Sequence, residues 1–191
     1  MLKMSSDWIE NVTQLPFMDP NEDIEVLNVE VIAHKPPVTD RSLARRIALQ
    51  VLYEVDCTNH PAGQVLVSRL QAQDIGLESR GTRYVRALVM GTLEHREGID
   101  RVISHFATEW PLNQIAIVDR NVMRLAIYEM LFDSAIPQAV AIDEAIGLIE
   151  FFGAESSVGF VNGVLGEIAD RPKLVNAILG LPEDGADGES A

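Results

Sequence analysis

A chain of 191 residues, 47% hydrophobic and 23% charged, has room for one ordinary domain with extensions. Its formal net charge of -14 argues against indiscriminate binding to nucleic acids or membranes. The single cysteine, Cys57, excludes an intrachain disulfide, no apolar run approaches the ~20 residues a bilayer requires, and Asp7 and Glu10 interrupt any secretory signal pattern, so a cytoplasmic setting is expected.

Residues 1–40 read as an acidic N-terminal extension, with turn-rich MDPNED at 18–23 and the breaker HKPPVTD at 34–40. Between them IEVLNVEVIA, 24–33, is β-branched and partly alternating, like a short strand that would need a partner or stay loose. A helical domain is expected over 41–180. Thr39 or Asp40 caps a first helix to about Asp56, and Pro61 starts a second to about Gln73. Residues 80–94 and 96–107 form a third and fourth, and TEWPLNQ, 108–114, breaks the chain at Pro111. Helices follow at about 117–133, 138–152, 157–169 and 172–180, and the acidic, Gly-rich tail 181–191 is expected to be disordered. Short connections make this an all-α, antiparallel bundle of about seven helices.

FFGAESSVGFVNGVLGEIAD, 151–170, is the most informative stretch. Gly153 is expected to end one helix in the left-handed conformation, and Ser156 or Ser157 to cap the next through its hydroxyl. Val161, Val164, Leu165 and Ile168 form the apolar face, while Gly159, Gly163 and Gly166 offer another face where a neighbouring helix could come close.

Charge is unevenly placed. Residues 1–40 carry net -6, 41–101 net +2 with nine arginines, 102–170 net -8 and the last 21 residues net -2. Between 41 and 170 every basic residue is arginine, which forks onto phosphates and stacks on bases better than lysine. On the first helix Ala44, Ile47, Ala48, Val51 and Val55 make a core stripe. On another face Arg46, Gln50 and Tyr53 lie at i, i+4 and i+7, offering a phosphate anchor, a base-edge hydrogen-bonder and a stacking plane. The same row also suits an ordinary solvated face. Arg80, Arg83 and Arg86 crowd around Tyr84 as a basic–aromatic patch or a solvated helix face. Glu129 falls on an apolar face, which points to a structural ion pair with an arginine or a helix N-terminus.

Enzymatic signals are poor. His34, His60, His95 and His105 lie far apart, Cys57 with His60 makes half a metal site, and no phosphate-cradling glycine loop, GxSxG elbow or paired CxxC is present. No catalysis, cofactor or metal is expected.

Three blocks, ARRIALQVLYEVD at 44–56, DRNVMRLAIYEML at 119–131, and Pro137 through VAIDEAIGLIEFFG into FVNGVL, resemble the NusB family of bacterial transcription antitermination factors over about residues 41–170. The resemblance implies an all-helical fold outside which the first forty residues stand as a non-conserved extension. It also implies binding of boxA, a single-stranded RNA element, together with the small-subunit ribosomal protein NusE, in the RNA polymerase antitermination complex that supports rRNA transcription. A similar domain opens certain rRNA cytosine methyltransferases, but too little chain follows residue 180 for a methyl-transfer domain. The family's arginine-rich helix start carries RNA binding to Arg41, Arg45 and Arg46, with Gln50 and Tyr53 beside them. Its third helix adds Arg83 and Tyr84, and the turn near the same surface adds Phe152, Ser156 and Phe160. Asp143, Glu144 and Glu150 form an acidic surface suited to a basic ribosomal protein. The alternative is a NusB-fold protein-interaction module with weak or lost RNA binding. Oligomeric state is left open.

Overall fold

The computed structural model describes residues 39–71 and 76–181, and these form eight α-helices with no strand among them. The strand expected at 24–33 lies outside the described residues, as does the tail beyond Leu181. The helices are α1 (Asp40–Thr58), α2 (Ala62–Gln71), α3 (Ser79–Glu94), α4 (Arg96–Phe106), α5 (Ile117–Phe132), α6 (Gln138–Phe152), α7 (Ser157–Asp170) and α8 (Pro172–Leu179).

Local chemistry sets several boundaries. The Thr39 hydroxyl accepts the Ser42 N–H at 3.1 Å and so caps α1. Asn59, with φ 58°, ends α1 in the left-handed region that asparagine tolerates. Pro172 opens α8, where its missing N–H costs nothing, and Gly180 at φ 70° closes it.

The fifth helix is the hub. It packs against α1, α3, α4, α6 and α7. Ten of its sixteen residues are buried, so its charged members must find partners inside the protein. Val122, Met123, Leu125 and Ile127 meet Ala44, Ala48 and Val51 of α1, Leu88 and Val89 of α3, and Ile149 and Leu165 of α6 and α7 in one core. The α1 stripe Ala44, Ile47, Ala48 and Val51 is buried as its spacing implied, with Val55 half-buried.

Two glycines permit the closest approaches. A Cβ on Gly91 would lie 2.2 Å from the Tyr128 ring, and one on Gly81 2.5 Å from the Asp40 carboxylate, so a methyl at either place would have to displace that side chain. The turn between α6 and α7 differs from expectation. Gly153 is extended (φ -95°, ψ -174°) rather than left-handed, and glycine is needed because a Cβ would meet the Ile149 carbonyl at 2.9 Å. Neither serine caps α7. Ser156 precedes the helix without a capping bond, and the Ser157 hydroxyl donates to Asp119 Oδ2 at 2.7 Å. Among the described residues nothing lies within 4 Å of a Cβ added at Gly159, Gly163 or Gly166, so none of the eight helices nestles on that face.

Candidate nucleic-acid interface

Two charged clamps join α1 to α5. Near the start of α1, Arg45 Nε donates to both Glu129 oxygens at 3.0 and 2.9 Å, while Nη1 lies 3.2 Å from Glu144 Oε1 of α6. Arg45 is 2% exposed and Glu129 1%. The Arg45 Nη2 donates to the Tyr84 hydroxyl at 3.3 Å, the Tyr84 hydroxyl donates to Glu129, and Ser42 Oγ donates to Glu144 at 2.8 Å. Burial alone would lower the Arg45 pKa, but the Glu129 hydrogen bond and charge outweigh it and raise the value. Burial first, then the Glu129 charge, pushes the Tyr84 phenol well above its ordinary range.

Eleven residues further along α1, about three turns, Asp56 meets Arg124 at 2.8 Å, Arg96 at 3.0 Å, Arg120 at 3.3 Å and Asn121 at 3.2 Å. Arg124 also forks onto Asp100 at 2.7 and 2.9 Å. Burial would raise the Asp56 pKa; Arg124 and then Arg96 overcome it and lower the value. The Arg45–Glu129 and Asp56–Arg124 pairings run in opposite chain directions, so α1 and α5 are antiparallel.

These clamps correct the expected RNA-contacting set. Arg45 is inside the protein and does not reach the surface. Tyr84 is half-buried with its hydroxyl committed to Glu129. Glu144, expected to meet a protein partner, is instead held by Ser42 and Arg45, whereas Asp143 and Glu150 are exposed. Glu129 sits in the structural ion pair its position called for, and the partner is Arg45.

The remaining candidates separate into three places. Arg41 is exposed with its guanidinium 5.3 Å from the Tyr84 ring centroid, and Arg83, which precedes Tyr84 on α3, is exposed as well. Arg46, five residues on and about 140° round the helix, lies with its guanidinium 3.9 Å from the centroid of Phe151 on α6. Along that same side Gln50, Tyr53 and Phe152 line one groove of about 450 Å³ with Leu49, Cys57 and Val118. Tyr53 is 44% exposed, and the Cys57 thiol, as its hydrogen-bond partner, raises its pKa. Ser156 and Phe160 lie apart from this groove, in a second depression. Phe151 and Arg69, which also lines the groove, were missed because no local spacing rule links them to α1.

A helical bundle presenting an arginine–aromatic strip beside an apolar groove has the build of a binding module. The sequence model of the NusB family matches residues 42–170. The transcription antitermination protein NusB of Desulforamulus reducens is 44% identical over 131 residues, spanning 69% of this chain and 90% of that protein. Among solved structures, T. maritima NusB superposes with a TM-score of 0.64 at 34% identity, covering 73% of this chain and 98% of that one. A structure of the antitermination factors NusB and NusE in complex with double-stranded RNA also matches, with a TM-score of 0.64 at 25% identity over 70% and 98% of the two chains. The chain belongs to the NusB family.

Among the described residues no helix is long and apolar enough to cross a membrane, and no three His, Cys, Asp or Glu side chains gather as a metal site.

Proposed function

We propose that this chain is a cytoplasmic transcription antitermination factor that holds boxA-type single-stranded RNA and docks NusE, without catalysis of its own. Residues 41–180 form the binding domain in this reading. The observation that carries it is the row Arg46, Gln50 and Tyr53 on α1, with Arg46 over the Phe151 ring of α6 and with Gln50, Tyr53 and Phe152 lining one groove. Such a strip supplies the three contacts unpaired RNA uses: a guanidinium for phosphate, an amide for a base edge, and rings for stacking. Arg41 and Arg83 extend the positive charge toward the start of α1. Exposed Asp143 and Glu150 leave α6 an acidic surface for a basic protein partner.

The test is a titration of boxA-type RNA against the full chain, with and without NusE, at two salt concentrations. Binding that weakens with salt and tightens with NusE is expected. NusE binding without salt-dependent RNA binding would make the chain a protein-interaction module instead.

A further inference from the structure

The Arg46 guanidinium carbon, 3.9 Å from the Phe151 centroid, must lie over the face of that ring. An approach in the ring plane would stop at about 5 Å, the ring's own radius plus a van der Waals contact. Among the described residues this is the closest seat an arginine has on an aromatic ring; Arg41 and Arg45 stand 5.3 and 5.7 Å from the Tyr84 centroid. Phe151 is itself braced. It stands in the last turn of α6 and meets the Phe152 ring edge-on, with centroids 4.6 Å apart and planes at 62°. Phe152, not Phe151, is the α6 ring that lines the groove with Gln50 and Tyr53.

Phe151 also belongs to a bridge between α1 and α6 made at two levels. Glu144 and Phe151 stand at i and i+7, on one face of α6. Glu144 takes Ser42 and Arg45 of α1, and Phe151 takes Arg46. The two contacts differ in kind. A carboxylate holds an arginine by opposite charge, whereas a ring holds it by its electron-rich face and brings no countercharge. What Phe151 contributes to Arg46 is therefore place rather than neutralisation. Place matters for an arginine, because its long side chain has many rotamers and freezing one on binding costs affinity. A guanidinium already seated on a ring has lost much of that freedom before RNA arrives.

We infer that Phe151 is a positioning residue: it holds Arg46 in the orientation from which that side chain takes an RNA phosphate, and does not itself stack on a base. The inference rests on the RNA-binding reading of the α1 strip and gives a role there to a ring outside the groove lining.

The experiment is a double-mutant cycle on the full chain with NusE present, reading affinity for single-stranded boxA-type RNA at several salt concentrations. Phe151→Leu keeps apolar bulk and removes the ring. It should weaken binding about 2- to 10-fold, the cost of ordering one long side chain on binding, while Phe151→Tyr keeps close to the parent's affinity. The salt slope of Phe151→Leu should match the parent's, since the phosphate contact is still made. With Arg46→Ala in place, Phe151→Leu should weaken binding no further. Arg46→Lys probes the same contact without touching α6. It keeps the charge but not the flat guanidinium, and should bind more weakly at the parent's slope. A Phe151→Leu loss that persists in full beside Arg46→Ala would make Phe151 a base-stacking ring and overturn the positioning role. Parental affinity in both Phe151→Leu and Arg46→Lys overturns it as well. A parent chain that binds no RNA overturns the RNA-binding reading, and this role with it.

Discussion

The Nε–H of Arg45 on α1 is shared between the two carboxylate oxygens of Glu129 on α5 at 2.9–3.0 Å, with both side chains almost wholly buried. An arginine standing between surface arginines at 41 and 46 thus belongs to the interior. Removing one partner strands the other charge without water, whereas removing both leaves volume to fill and only half-buried groups, the Tyr84 hydroxyl and the Glu144 carboxylate, to turn to solvent. Glu129→Ala should therefore cost about 3–5 kcal/mol in urea unfolding, while Arg45→Met with Glu129→Leu together should be near neutral or stabilising. RNA affinity of the double variant should match the parent. A large affinity loss in a stable double variant would return Arg45 to the binding surface.

The second clamp makes stability depend on acid. Because the Asp56 pKa is lowered by Arg124 and Arg96 against the effect of burial, its stabilisation is fully present above the unfolded value of about 3.9 and fades as pH falls through the lower folded value. The stability gap between the parent and Asp56→Asn should be constant near neutrality and narrow below about pH 4. Denaturant unfolding across that range checks it; a gap independent of pH would mean that the carboxylate charge contributes nothing.

Glycine substitutions should split by location. Gly91→Ala places a methyl 2.2 Å from the Tyr128 ring and should lower the melting temperature. Gly163→Ala, in an α7 position with open space around it, should raise stability by about 0.4–1 kcal/mol through a less flexible unfolded chain. Thermal melts of the two variants read both signs, and destabilisation by Gly163→Ala would show that α7 needs glycine for a reason other than space.

With Arg45 inside and Arg69 of the groove paired with Glu54 at 3.1 Å, the phosphate contacts of this reading fall to exposed Arg41 and Arg83 and half-buried Arg46. Three phosphate contacts on a single strand correspond to a salt slope of about -2 for log affinity against log salt. Arg46→Ala should flatten it by about 0.7. A slope unchanged by Arg46→Ala would remove this residue from the phosphate contacts.

Much of the fold was legible because periodicity and punctuation act locally. The helix start at Pro172 and the Ala44–Ile47–Ala48–Val51 stripe each do in the structure what the sequence implied. The pairing of Arg45 with Glu129 was half legible. The apolar neighbours of Glu129 demanded a partner, but that partner lies 84 positions away, and nothing local separates Arg45 from Arg41 and Arg46. The glycines of α7 mark a small face without saying whether a neighbour fills it, and among the described residues none does. At Gly153 a shared residue type hid a different cause, close approach to a carbonyl rather than a left-handed turn.

The most direct test is the affinity of the full chain, with NusE present, for boxA-type RNA when Arg46 and Tyr53 are both replaced by alanine. The lost guanidinium and stacking ring should weaken binding at least about tenfold while the melting transition stays close to the parent's. A folded double variant that binds as tightly as the parent would contradict the assignment of this α1 strip as the RNA-holding surface.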